Sequence, residues 1–150
     1  MRLTQLTDYS VRVLMYLAVH RDALCTVSDI AERYSISRHH LTKVVNQLSR
    51  AGFITTVRGR SGGMRLSRGA EAIDIGDVVR IMESPSILVE CFTGGKGQCV
   101  IAPACRFKGL LADAQEAFFA CLDGTTLADL TRNEDPLRAL LTARTLETTS

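Results

Sequence analysis

No apolar run in this 150-residue chain approaches the roughly 20 residues that cross a bilayer, although 46% of its residues are hydrophobic. A membrane helix is therefore not expected. The first twenty residues hold no small-residue cleavage site, and Arg2, Asp8 and Arg12 interrupt their apolar positions, so no signal peptide is expected either. Internal repeats are missing. So are a Ser/His/Asp set, a phosphate loop and paired acids placed for catalysis, which leaves an enzyme without its reacting groups. Among the five cysteines there is no CxxC pair of the kind that makes a zinc knuckle. These absences leave a cytoplasmic chain long enough for one core, in a reducing compartment where spaced cysteines more often mean metal or redox chemistry than structural bridges.

The formal net charge of +2 conceals an asymmetry. Residues 1–68 hold eleven Lys and Arg against four Asp and Glu, a net +7, whereas residues 69–150 hold seven against twelve, a net −5. The first part is the candidate for a polyanionic partner.

LTQLTDYSVRVLMYLAVH places Leu6, Val13, Leu14, Leu17 and Ala18 at helical spacing, so a helix is expected from near Thr4. Ser28 is the expected cap of a second, short helix, SDIAERY, with Ile30, Ala31 and Tyr34 facing inward. A three-residue connection, Ser35-Ile36-Ser37, leads to RHHLTKVVNQLSRAG, where Leu41, Val44, Val45 and Leu48 form a buried stripe and Gly52 ends the helix. Two short helices joined in this way make a helix-turn-helix. FITTVRGRSGGMRLS then alternates from Phe53, turns on a Gly/Ser tip and returns through Met64, Arg65 and Leu66, which is a hairpin wing. The fold class expected is mainly α with a small β-hairpin: a winged helix-turn-helix domain over 1–84, a cysteine loop over 85–105, a dimerisation helix with a helical segment over 106–135, and a flexible tail over 136–150. In the third part a long helix is expected from Pro103 to about Leu122, with Phe107, Leu110, Leu111, Ala114, Ala117, Phe118, Cys121 and Leu122 on one apolar face.

Opposite its buried stripe the third helix carries Arg38, His39, Thr42, Lys43, Asn46 and Arg50, with His40 beside them. A recognition helix offers its N-terminal residues to base edges, which makes Arg38, His39 and Lys43 the first candidates for the major groove. Arg58, Arg60 and Arg65 in the wing would follow phosphate or enter a narrow minor groove. Singly, each is an ordinary solvated arginine; their joint placement is the signal. Gln47 is expected at the edge of the packed stripe.

Cys91, Cys99 and Cys105 lie in CFTGGKGQCVIAPAC, with seven and five residues between them. Thiolates on irregular loops hold iron-sulfur clusters, and Thr93, Gly94, Gly95 and Gly97 let the backbone fold closely about a bulky inorganic core. Cys105 falls in the expected first turn of the long helix, where the dipole favours a thiolate. Three thiolates leave one further ligand to find. Cys25 and Cys121 read as buried fillers, and Asp8, taken alone, is a first-turn acid paired with Arg12 one turn on.

The first helix, SRHHLTKVVNQLSRAGFI, the RGRSGGMRL wing and the C-x7-C-x5-C loop before a long helix resemble, in this order, the winged-helix iron-sulfur regulators, a family that includes IscR and repressors sensing nitric oxide. The resemblance covers residues 1 to about 135. It implies a homodimer in which Cys91, Cys99 and Cys105 of one protomer and an oxygen ligand from the partner's first helix hold a cluster; the matching position is Asp8. The cluster implied is [4Fe-4S], with [2Fe-2S] as the alternative. IscR-like chains carry a histidine three residues after the last cysteine, where this one has Lys108, which argues against their ligand scheme. The function expected is a dimeric repressor on palindromic double-stranded DNA, releasing it and derepressing nitric oxide detoxification genes when nitric oxide reaches the cluster. The alternatives are a thiol-redox or zinc-dependent regulator of the same fold, an IscR-like regulator of iron-sulfur status, and, from another class, an electron-transfer iron-sulfur protein.

Overall fold

A computed structural model describes residues 3–84, 88–92, 95 and 97–142. Helix α1 (Gln5–Val19) starts where Thr4 accepts a hydrogen bond from the Thr7 amide at 3.3 Å, and Val13, Leu14 and Leu17 bury its inner face. It ends at His20, whose ring stacks on Tyr16 at 4.2 Å between centroids.

Helix α2 (Val27–Tyr34) is capped by Thr26 rather than by Ser28, which lies inside the helix. The reason is Asp29: its carboxylate accepts from the Thr26 amide at 2.8 Å while the Thr26 hydroxyl accepts from the Asp29 amide at 3.2 Å, a reciprocal pair that Ser28 cannot form. Ser35 then takes a left-handed conformation, φ 53°, and turns the chain into α3 (Arg38–Arg50), capped by Ser37. Leu41, Val44, Val45 and Leu48 are all buried.

Strands β1 (Ile54–Val57) and β2 (Gly63–Leu66) pair antiparallel, Ile54 opposite Leu66 and Val57 opposite Gly63. Past Ile54, β1 is exposed, so the expected alternation stops after one residue. Cys25 forms an isolated bridge to the hairpin: it exchanges backbone bonds with Met64 at 3.0 and 2.7 Å, fastening the wing to the connection before α2. Gly63 makes this approach feasible, since a Cβ there would lie 2.9 Å from the Cys25 carbonyl oxygen. Arg68 clasps the base of the wing, donating to the carbonyls of Ala72 and Gly52 and lying over the Phe53 ring.

Helix α4 (Ile75–Glu83), capped by Asp74, packs Val78, Val79 and Met82 into the core. Glu83 accepts from the Thr4 amide at 2.7 Å and so joins the far end of α4 to the start of α1. Pro85, a residue type that stops a helix, falls outside the described residues. Helix α5 (Arg106–Leu122) begins three residues later than expected, because Pro103 lies in a separate 3-10 turn over Ala102–Ala104. Short helices α6 (Leu127–Leu130) and α7 (Glu134–Thr142) follow. The expected flexible tail is thus helix from 136 to 142, with Leu141 buried and Arg33 of α2 donating to the Leu140 carbonyl; 143–150 lie outside the described residues.

The core gathers Leu14, Leu17, Ile30, Leu41, Leu48 and Leu127 from α1, α2, α3 and α6, with Phe53 and Ile73 from the segments before β1 and α4. Truncating one of these leucines to alanine removes about 2–5 kcal/mol by lost transfer energy and the cavity left behind. Among the described residues no helix is long and apolar enough to cross a membrane.

Candidate functional site

Two groups of residues stand apart from the core. The first is basic. Arg38, His39, His40, Thr42, Lys43 and Asn46 are all exposed on the outer face of α3, and Arg58, Arg60 and Arg65 are exposed on the wing. Ser37 fixes the start of this face, accepting from the His40 amide at 3.2 Å, so the first turn of α3 and its positive end are presented together. The Thr42 hydroxyl is turned back to the Arg38 carbonyl at 2.8 Å, which leaves its methyl outermost. Gln47 is exposed with this face rather than packed beside the stripe. Tyr9 of α1, not marked in the sequence, places its ring 6.4 Å from that of His40 and so borders the same surface. Nothing local in the sequence signals this, because the contact joins two helices.

The second group is sulfur. Cys91, Cys99 and Cys105 are free thiols, each half-buried. The loop closes on itself between the first two: Gly97, at φ 65°, donates to the Glu90 carbonyl at 3.2 Å, and Gly95 presses against that carbonyl so closely that a side chain there would overlap backbone. The 3-10 turn carries the chain from Cys99 to Cys105. Cys105 is not inside the first turn of α5 but caps it, its Sγ accepting from the Lys108 amide at 3.4 Å. A sulfur so placed receives backbone N–H groups, as a metal-bound thiolate does. Thr93 and Gly94 lie outside the described residues.

Asp8 is elsewhere, on the exposed side of α1, where it pairs with Arg12 at the edge of an open cleft that also involves Tyr9, Tyr34 and Ser35. Arg12 in turn lies over the Tyr9 and Tyr34 rings at about 6 Å. Among the described residues no three His, Cys, Asp or Glu side chains come close enough together to hold a metal ion. The donor chemistry fits an iron-sulfur cluster, with three free thiols, a glycine-closed loop and a helix start. Neither the three thiols by themselves nor two of them with Asp8 are gathered in this structure.

Of the other two cysteines, Cys25 is buried as expected and its thiol is pushed up to about 11 by that burial and by Asp29. Cys121 is exposed, contrary to expectation, because the face of α5 that carries it is not covered by the other described residues. Phe107 and Leu110 on α5 are 62% and 63% exposed, and Val100 in the preceding loop is 93% exposed. Only the far end of α5 packs inward, through Phe118, Phe119 and Leu122.

Residues 3–133 match the Rrf2 family, described as iron-dependent transcriptional regulators. The chain belongs to this Rrf2 family. Relatives named HTH-type transcriptional regulator NsrR include one from Shouchella clausii, 47% identical over 98% of this chain and 99% of that one, and one from Bacillus subtilis, 47% identical over 94% and 97%. The resemblance drawn from the helix, wing and cysteine motifs is thereby borne out. Among solved structures, IscR of T. potens superposes with a TM-score of 0.71 at 24% identity, covering 91% of this chain and 90% of that one. CymR, the global cysteine regulator of B. subtilis, gives 0.70 at 28% identity, covering 89% and 98%. The mainly helical winged fold expected from the sequence is the fold of these Rrf2 regulators. As a member of the family the chain is a DNA-binding transcriptional regulator.

Proposed function

We propose that this regulator is a homodimeric repressor whose hold on palindromic DNA depends on an iron-sulfur cluster, with nitric oxide as the signal. The observation that carries the reading is the set of three free, half-buried thiols on a glycine-closed loop, the last of them capping α5. When bound, the cluster, [4Fe-4S] on the resemblance, supplies iron able to react with nitric oxide.

Everything else falls to the chain. Cys91, Cys99 and Cys105 of one protomer would close around the cluster and Asp8 of the partner would complete it. The uncovered Phe107 and Leu110 face of α5 would bury itself on its counterpart and bring the two sites together. An oxygen donor is a weaker hold on iron than a fourth thiolate, so the bond across the dimer is the one to yield. Release of Asp8 would free α1, against which α3 packs, and shift the pose of the two recognition helices. Arg38, His39 and Lys43 would read base edges, with His40, Thr42 and Asn46 beside them, while Arg58, Arg60 and Arg65 engage phosphate or the minor groove.

The test is an anaerobic titration with nitric oxide, following visible absorption and DNA binding on one sample. Bleaching of a broad band near about 400 nm in step with DNA release supports the reading. A reconstituted protein that stays colourless yet binds DNA refutes the cluster and leaves the cysteines to thiol chemistry.

A further inference from the structure

The acidic half of the chain holds its most elaborate polar contact far from both groups above. Arg80 of α4 donates through Nη1 and Nη2 to the two carboxylate oxygens of Asp123, at 2.6 and 2.7 Å, in a fork-to-fork pair. Asp123 is the residue that ends α5. The guanidinium lies over the Phe119 ring, 4.7 Å from its centroid, which limits its swing. Asp74, the cap of α4, accepts from the Gly124 amide at 2.7 Å with its second oxygen. Backbone bonds from Ile75 to Thr125 and from Leu127 to Ile73, 2.9 and 2.8 Å, close the join.

Gly76 explains how the two helices come so near. A Cβ at this position would overlap Oδ1 of Asp123 and stand 3.0 Å from Asp74 Oδ1 and 3.1 Å from Arg80 Nη1. The obstructed atoms belong to side chains, so a larger residue would be admitted only by moving the carboxylate away from Arg80.

We infer that Arg80 and Asp123 are positioning residues for DNA binding: they set the angle of α5 on the winged unit, and through it the spacing of the two recognition helices in the dimer. The inference rests on the dimeric repressor proposed above. Leverage gives it force. With 17 residues α5 is about 25 Å long, and slack of roughly 10° at its latched end would carry the Cys105 end about 4 Å. A duplex presents its half-sites at a fixed spacing of about 34 Å and accepts no such drift.

The experiment uses the full chain and a duplex selected by the wild-type protein from a random pool, together with the same duplex with one half-site scrambled. Asp123→Asn and Gly76→Ala are expected to weaken binding to the two-site duplex at least fivefold and to leave the one-site duplex within twofold. Arg80→Glu should behave alike, and the double exchange Arg80→Glu with Asp123→Arg should restore binding. Equal affinity of variant and wild type for the two-site duplex overturns the inference, as does an equal loss on both duplexes. A second readout needs no DNA: the distance between probes on genetically encoded residues replacing Glu32 and Glu116, in labelled chains diluted with unlabelled ones. The distribution should broaden in Asp123→Asn, and an unchanged width overturns the inference. A wild-type protein that selects no duplex would sink the proposed function, and the probe distances would still decide the latch.

Discussion

Asp8 and Arg12 sit one turn apart on α1 and are joined twice, Nε to Oδ1 at 3.0 Å and Nη2 to Oδ2 at 2.8 Å. Both side chains are about half exposed, and such a pair contributes only about 0.3–0.5 kcal/mol to a helix. Asp8→Ala should therefore leave the melting of the metal-free protein within about 0.5 kcal/mol of wild type. After reconstitution the same variant should differ from wild type in visible spectrum and in nitric oxide equivalents needed for DNA release. Identical spectra and titrations would return Asp8 to a plain helix-surface role.

Lys43 and Arg60 separate base reading from backbone attraction. Lys43→Ala is expected to cost about 1–3 kcal/mol on the preferred duplex and to relax preference at one base position. Arg60→Ala should weaken all duplexes alike and lower the slope of log affinity against log salt by about one. Binding-site selection and a salt series distinguish them, and interchanged results would reverse the two assignments.

Phe107→Asp places a charge at the N-terminal end of the uncovered α5 face. Sedimentation equilibrium should report a dimer for wild type and a monomer for the variant, with the far-ultraviolet spectrum retained because Phe107 is 62% exposed in its own chain. A variant that still dimerises would move the interface off this face.

Cys25, with its thiol pushed up to about 11, exposes about one thiolate in a thousand at pH 8 and is only 4% accessible. Iodoacetamide at that pH, followed by peptide mass mapping, should leave Cys25 unmodified in the native protein and label it once the chain is denatured. Labelling of native Cys25 at the denatured-state rate would mean that the wing separates readily from the connection before α2.

Acid should loosen the α4–α5 latch. Hydrogen bonds from Arg80, aided by its charge, hold the Asp123 carboxyl below the ordinary carboxylate range; Asp74 and Asp77 are the other titratable groups facing Arg80. Because the folded-state value is depressed, the contribution is complete above about pH 4 and is lost as pH falls through the lowered value. Wild type should lose its stability advantage over Asp123→Asn in that acidic window. Melting curves that run parallel from pH 7 to pH 2 would contradict the assignment.

Periodicity alone located α1, α3 and the wing, because their buried residues repeat at helical or hairpin spacing inside one domain. It failed where the deciding partner was distant or of unknown origin. The apolar stripe of α5 reads the same whether it meets its own core or a second chain, which is why Cys121 was expected inside. The start of α5 was misplaced by Pro103, which suits a first helical turn as well as the 3-10 turn it occupies. A signal for Thr26 was present in Asp29 three residues later, and one for α7 in Leu137 and Leu141 one turn apart. The Arg80–Asp123 pair spans 43 residues and leaves no local mark. Of the metal-site residues the cysteine spacing was legible, whereas Asp8 came only from resemblance.

The bond from Thr4 to Glu83 crosses 79 residues, so the first helix made is completed by one of the last pieces of the winged unit. At the ribosome's pace of roughly 5–20 residues per second, α1 waits about 4–16 s for α4 to emerge and cover it. Until α3 and the wing emerge, Val13, Leu14 and Leu17 face water on a nascent chain, and for the whole of that interval the helix that carries Asp8 lacks the cover of α4.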